Sequence, residues 1–295
     1  MQLDDLVINF NETALTFVNV TLAFIMFGIA LDLSIDKFKS VLSTPKKLIA
    51  GLISQLLLLP LLTFALVWLF KPEPSLALGM FLVAACPGGN ISNFISSMAK
   101  ANVALSISLT TITSIASILF TPLNFSFYGN SYGPTAKIMK TIDLNWLEVI
   151  QTISTIIIIP ILLGLLLKAY RPDIAKAMAK PLERISMMCF LLIVLGALLS
   201  NLDNFVACIA AVFFLVMAHN TTALVTGYSM GAIFGLDKQD KKSLAIETGI
   251  QNSGLGLLII FSFFGGMGGM AIVTAWWGIW HIISGFTLAY IWRRE

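Results

Sequence analysis

The chain has 295 residues, of which 58% are hydrophobic and 11% charged, with a mean hydropathy of +0.91 and a formal net charge of +3. These values exclude an ordinary water-soluble domain, and repeated apolar stretches of about 20 residues, long enough to cross a bilayer, predict an all-α polytopic membrane protein. The net charge gives no pointer to nucleic acid, because no basic patch with interleaved aromatics occurs.

The predicted spans, in chain order, are about 13–33, 47–70, 75–98, 102–124, 145–168, 185–201, 204–230, 241–264 and 269–292, nine in all, with the third and eighth interrupted. Asp4 and Asp5 precede the first and no basic n-region does, so a cleavable signal peptide is not expected and the first span serves as the targeting element. Lys37, Lys39, Lys46, Lys47 and Lys100, then Lys168, Arg171, Lys176, Lys180 and Arg184, then Lys238, Lys241, Lys242, Arg293 and Arg294 all fall on one side of this arrangement. That is fifteen of the eighteen basic residues, with Lys71, Lys137 and Lys140 opposite, which predicts an outside N-terminus and a cytoplasmic C-terminus. A prokaryotic inner membrane is the expected location.

The second span carries Gln55 inside an apolar run, where an isolated amide needs a partner; it either supplies an oxygen to a site or bridges helices. The third span is interrupted at Cys86-Pro87-Gly88-Gly89-Asn90-Ile91-Ser92-Asn93. Pro87 removes a backbone donor, and Gly88 and Gly89 remove the side-chain cost of non-helical angles, so a half-helix starting near Asn90 would turn its free N–H groups and positive dipole end into a cavity. Such an end attracts an anion. Alone, the Pro-Gly-Gly is equally a packing kink; its pairing with a second break favours the functional reading. Ser106 and Thr110, four apart, share a face of the fourth span, where their hydroxyls can converge with Ser92 and Asn93, although each singly is also explained by back-bonding to a carbonyl. Residues 125–144 form the longest polar interval, too short for a soluble domain.

The eighth span holds Glu247, the one carboxylate in the interior of a hydrophobic span, at the head of Glu247-Thr248-Gly249-Ile250-Gln251-Asn252-Ser253-Gly254. An ionisable group at that depth costs a few kcal/mol or more and ordinarily serves an ion or substrate path. Carboxylate, Gln251 amide and the carbonyls of an unwound turn around Gly249 together describe a cation site; the alternative is a protonated glutamate, since no Lys or Arg lies well inside a span to pair with it. Gly265, Gly266, Gly268 and Gly269 lack a P-loop signature and predict a flexible outer turn. Cys86, Cys189 and Cys208 read as small buried hydrophobes, and His219 and His281 have no second ligand at metal spacing, so no metal besides an alkali cation and no organic cofactor is expected.

The order of features suggests an inverted repeat, spans one to four against six to nine, with the fifth as connector and Gln55 matching His219 and Asn220. Two broken spans in corresponding halves point to a transporter's midplane site.

At Pro87 to Asn93, Asn102-Val103-Ala104-Leu105-Ser106, Glu247 to Gly254 and Trp280-His281, over nearly the whole chain, the sequence resembles the bile acid:sodium symporter family, in its bacterial type. The resemblance implies one membrane domain over 1–295, with a core of about 47–124 and 204–292 carrying two crossing broken helices and a panel of about 13–33 and 145–201. It implies two Na⁺ sites, the first of Ser92, Asn93, Ser106, Thr110 and Glu247, the second of Gln55, Glu247, Thr248, Ile250 and Gln251, with Thr248 and Ile250 acting through carbonyls. Asn90, Asn252 and His281 match positions near the substrate, Asn90 standing where bacterial members carry threonine. The first panel helix of ten-span members has no counterpart among the nine predicted spans.

These readings together predict a sodium-coupled symporter importing an organic anion, from small hydroxy acids such as pantoate to sterol conjugates, by alternating access. Membrane lipid is its other expected partner; oligomeric state is not legible. Proton coupling through Glu247 is the alternative, followed by a passive channel or a non-transporting receptor. No Gly-x-Gly-Asp, His-Glu-x-x-His or Ser-His pairing suggests an enzyme.

Overall fold

The computed structural model describes residues 12–32, 45–142, 145–199 and 202–294, with residues 12–14, 183, 187, 190–191, 193–195, 197–199 and 202–211 described by backbone alone. Asp4, Asp5, Lys37 and Lys39 fall outside this set, as does the side chain of Cys208.

The helices are α1 (Glu12–Asp32), α2 (Pro45–Phe70), α3 (Pro74–Ala85), α4 (Ile91–Met98), α5 (Val103–Ser131), α6 (Gly133–Thr141), α7 (Trp146–Tyr170), α8 (Pro172–Leu199), α9 (Leu202–Ile233), α10 (Lys238–Gly249), α11 (Ser253–Phe263) and α12 (Gly268–Arg293). Among the described residues there is no strand, only an isolated bridge between Gly88 and Gln251. α2, α5, α7 and α12 are long and apolar enough to cross a membrane, and Leu15–Leu31, α3 and α11 are shorter apolar helices. The architecture is that of an all-helical polytopic membrane protein. The polar interval after the fourth predicted span is helical as well: α5 continues to Ser131 and α6 follows at once, with Thr135 Oγ1 donating to Gly129 O at 2.6 Å across the turn.

α3 lies at the centre of the fold, buried from Ser75 to Ala85, with no polar face to turn toward water. Small residues set how closely its neighbours approach. A Cβ on Gly79 would meet Met270 Cα at 3.0 Å, and one on Gly269 would overlap Ser75, so α3 and α12 pack nearly backbone to backbone. The run Gly227-Tyr228-Ser229-Met230-Gly231 does the same between α9 and α10, where a Cβ on Gly227 would lie 2.7 Å from Ala245 Cα and one on Gly231 would lie 3.0 Å from Lys241 Cα. In a bilayer, where helices gain no hydrophobic burial from each other, such small-residue seams carry association. α1 packs mainly on α7 and α8, and Lys168 on α7 donates to Leu31 O at 2.6 Å near the α1 C-terminus.

α2 is irregular at Ser54–Leu58, one π-helical turn. Pro60 cannot donate to Leu56 O, and the freed carbonyl accepts from Asn124 Nδ2 on α5 at 2.9 Å. The wider turn buries Ser54 and Gln55 against α10. At the glycine cluster, Gly265 and Gly266 take φ of 57° and 72°, a turn that side chains disfavour, whereas Gly268 and Gly269 already belong to α12.

Candidate functional site

Two interruptions meet at the centre of the fold, between α3 and α4 and between α10 and α11. Cys86 N–H still bonds Leu82 O at 3.0 Å, but Pro87 has no donor with which to continue. Gly89 N–H donates to Ile250 O at 2.7 Å and Asn252 N–H donates to Pro87 O at 2.8 Å, so each break supplies the partner the other lacks. Buried backbone far from water requires such partners, and Asn220 Nδ2 on α9 serves Gly249 O at 2.7 Å in the same way.

Gly88 and Gly89 are needed for space. Neither has a positive φ, which corrects the expectation that they relieve backbone strain. A Cβ on Gly88 would overlap Glu247 Oε1 and stand 2.9 Å from Gln55 Nε2, and one on Gly89 would stand 3.0 Å from Gln251 O.

Glu247 sits on α10 one helical turn or less from this crossing and is 1% exposed. Its Oε2 accepts from Ser92 Oγ at 2.6 Å and Ser106 Oγ at 2.9 Å, and its Oε1 accepts from Thr110 Oγ1 at 2.6 Å. Asn93 Oδ1 lies 3.3 Å from Thr110 Oγ1. Among the described residues no basic side chain pairs with the carboxylate; hydroxyls from α4 and α5 solvate it instead. The five residues expected to share the first site are therefore brought together.

On the other side of the same residue, Gln55 Nε2 donates to Glu247 O and Gln251 Nε2 to Thr248 O, both at 2.8 Å. Gln55 thus bridges α2 to α10 beside Glu247 through its nitrogen. The amide oxygens of Gln55 and Gln251 are buried and have no hydrogen-bond partner. Two unpartnered amide oxygens beside the carbonyls of Glu247 and Thr248 suit a hard cation that takes oxygen ligands.

α4 and α11 each begin at the crossing, after Asn90 and Asn252. The Asn252 side chain caps its own helix by accepting from Leu255 N at 3.0 Å, and Asn90 Oδ1 accepts from Asn93 Nδ2 at 3.3 Å. His281, on α12, is buried with Nδ1 unpartnered, and no hydrogen bond links it to the two asparagines. His219 Nε2 lies 2.7 Å from Thr63 Oγ1, its ring against Trp277 at 4.6 Å, so it belongs to the packing of α2, α9 and α12.

Sequence reasoning missed Ser54, whose Oγ lies 2.8 Å from Thr248 Oγ1, because its orientation depends on the π-turn. It also missed Ser96, which donates to Ser106 at 3.2 Å, and Asp240, fully buried just before the apolar part of its span. Asp237 three residues earlier is the signal that could have marked Asp240, since Asp237 Oδ1 caps α10 through Asp240 N at 2.8 Å.

An apolar helical scaffold with a hydroxyl-ringed carboxylate and leftover amide oxygens at the meeting of two broken helices defines a membrane transporter. The profile of the Sodium Bile acid symporter family matches residues 19–208, and the chain belongs to that family. It is a transporter and not an enzyme. It is similar to the uncharacterized sodium-dependent transporter YocS of Bacillus subtilis, 31% identical over 282 residues that cover 95% of this chain and 84% of the relative. It is also similar to the probable sodium/metabolite cotransporter BASS1, chloroplastic, of Arabidopsis thaliana, 29% identical over 97% of this chain and 69% of the relative. The P3 protein of Mus musculus is 28% identical over 85% of this chain and 52% of that protein.

Proposed function

We propose that the chain is a sodium-coupled symporter that imports an organic anion by alternating access. The observation that carries this reading is the Glu247 carboxylate, buried and held by Ser92, Ser106 and Thr110 with no basic partner among the described residues. A cation entering there gains a full negative charge, and the three hydroxyls and Asn93 turn oxygen lone pairs toward it. The second ion site uses Glu247, Thr248 and Ile250 through their carbonyls with the amide oxygens of Gln55 and Gln251, whose lack of partners supports it. Two ions per cycle follow from two sites that share one residue. The names of the relatives from Bacillus subtilis and Arabidopsis thaliana, each a sodium-dependent transporter or cotransporter, support the choice of ion.

The substrate is an organic anion because the N-termini of α4 and α11 both open at the crossing, where partial positive charge concentrates. Asn90, Asn252 and His281 line its approach, and size selection between small carboxylates and larger anions rests with the space beside them. Sodium bound on both sides of Glu247 orders the crossing whose half-helix ends receive the anion, which gives the ions differential affinity for the substrate-binding state, as coupling requires. The moving parts are a core of 47–124 and 204–292, related internally as an inverted repeat, and a panel of 13–33 and 145–201. The chain has nine spans, with the N-terminus outside and the C-terminus in the cytoplasm of a prokaryotic inner membrane, a reading that the gathering of fifteen basic residues on one side supports.

Uptake of a radiolabelled organic-anion panel into proteoliposomes, under an imposed Na⁺ or proton gradient, tests the proposal. An inward Na⁺ gradient should drive accumulation in wild type and none in Glu247→Ala. Accumulation that follows the proton gradient and ignores Na⁺ would refute it in favour of Glu247 as a proton carrier.

A further inference from the structure

A second polar network lies two helical turns from Glu247. Asp240, on the first turn of α10, is completely buried although charged. Lys47 on α2 brings Nζ to 2.6 Å from Asp240 Oδ2, as a close ion contact without the alignment of a directed hydrogen bond, and to 3.9 Å from Asp237 Oδ2. Asn102 Nδ2 donates to Asp240 Oδ1 at 2.7 Å, while the same side chain caps α5 by accepting from Leu105 N at 3.1 Å. Ser243, one turn further along α10, donates to Asn102 O at 2.8 Å, and Asn102 N–H bonds Gln239 O at 3.3 Å.

The network ties three helices together at one level, and each carries a residue of the ion site seven or eight positions further along its own axis. On α10 it is seven residues from Asp240 to Glu247; on α2, eight from Lys47 to Gln55; on α5, four and eight from Asn102 to Ser106 and Thr110. At 1.5 Å per residue these intervals are about 10–12 Å for the longer ones, and residues seven or eight apart return to the same face of a helix. A slip of α10 by one residue would turn the Glu247 carboxylate away from all three hydroxyls, and Asp240, Lys47 and Asn102 are among the side chains that oppose that slip. The burial of Asp240 adds to the constraint, because an uncompensated charge there is costly and the register that keeps both its partners is strongly favoured.

Resting on the sodium-site reading above, we propose that Asp240, latched by Lys47 and Asn102, is a positioning residue that sets the register of α10 against α2 and α5, and with it the sodium affinity of the Glu247 site. It touches neither ion nor substrate.

The test is ²²Na⁺ binding to purified full-length protein, read beside its melting temperature, for wild type, Asp240→Ala, Lys47→Met, Lys47→Arg, Asn102→Ala and Glu247→Ala. Half-saturating Na⁺ should rise roughly tenfold in Asp240→Ala and severalfold in Lys47→Met and Asn102→Ala, the size of coupling within a shared network. Lys47→Arg should restore near-wild-type sodium binding, and binding capacity at saturation should be kept in every latch variant. Should Asp240→Ala fail to fold, Lys47→Met and Asn102→Ala decide. Lowered melting temperatures with unchanged half-saturation would mean that the network is merely structural and would overturn the proposal. If Glu247→Ala loses sodium binding while the latch variants keep wild-type values, the latch alone is wrong; if Glu247→Ala itself titrates like wild type, the sodium-site reading fails and the latch proposal falls with it.

Discussion

Glu247 accepts three hydroxyl hydrogen bonds on its carboxylate and one from the Gln55 amide on its carbonyl, while Gln251 bonds the next carbonyl, so its surroundings are set from α2, α4, α5 and the break after α10 at once. Hydrogen bonds to a charged group contribute about 1.5–3 kcal/mol each. Thr110→Val, which keeps shape and removes the donor to Oε1, should therefore weaken sodium-dependent stabilisation about tenfold or more in half-saturating Na⁺. Thermal melts at graded Na⁺ read this directly; an unchanged titration would remove Thr110 from the site. Gly88→Ala is the complementary prediction. Its new Cβ displaces the Glu247 carboxylate or the Gln55 amide, so sodium stabilisation should disappear in a protein that still folds, at an overpacking cost of about 1–3 kcal/mol. Glu247, Gln55 and the paired hydroxyls were legible in the sequence because each is polar where the surroundings are apolar. Ser54 was not, since a serine beside a glutamine faces elsewhere on a regular helix and only the π-turn brings both to α10.

At the scale of elements, irregularities are matched in pairs. The two breaks share reciprocal backbone bonds, and the Leu56 carbonyl released by Pro60 is taken by Asn124. Asn124→Leu should leave that buried carbonyl without its donor and cost about 1–3 kcal/mol, visible as a lowered melting temperature. A melting temperature equal to wild type would show that the α2 irregularity is held by packing alone. The apolar helices α2, α3, α5, α7, α11 and α12 could be read from hydropathy, and the breaks from Pro-Gly-Gly and from Gly249 beside its amides. The helicity of 125–141 could not, because its polar residues bond within helical turns, as Ser131 Oγ does to Phe127 O at 2.6 Å, and composition alone cannot distinguish that from a loop.

For the whole molecule, the helices fall into a group around α3, α10 and α12 that holds the crossing and a group of α1, α7 and α8 that packs mainly on itself. The first group is pinned by small-residue seams and by the polar networks around Glu247 and Asp240, which fits a rigid body that carries its site with it. The basic residues carry the proposed direction of this body in the membrane. With Cys86, Cys189 and Cys208 replaced, a cysteine at exposed position Lys71 should react with an impermeant maleimide from outside intact cells, and one at exposed position Lys176 only after permeabilisation. The reverse pattern would invert the proposed topology. The central claim, that the Glu247 site binds sodium, is tested most directly by melting purified wild type and Glu247→Ala in Na⁺, K⁺ and choline at equal ionic strength. Binding to the folded state at one hundred times the dissociation constant stabilises by about 2.7 kcal/mol, so wild type should melt several degrees higher in Na⁺ alone and the variant should not distinguish the three cations. Equal melting of wild type in all three, or a sodium shift that survives in Glu247→Ala, would contradict it.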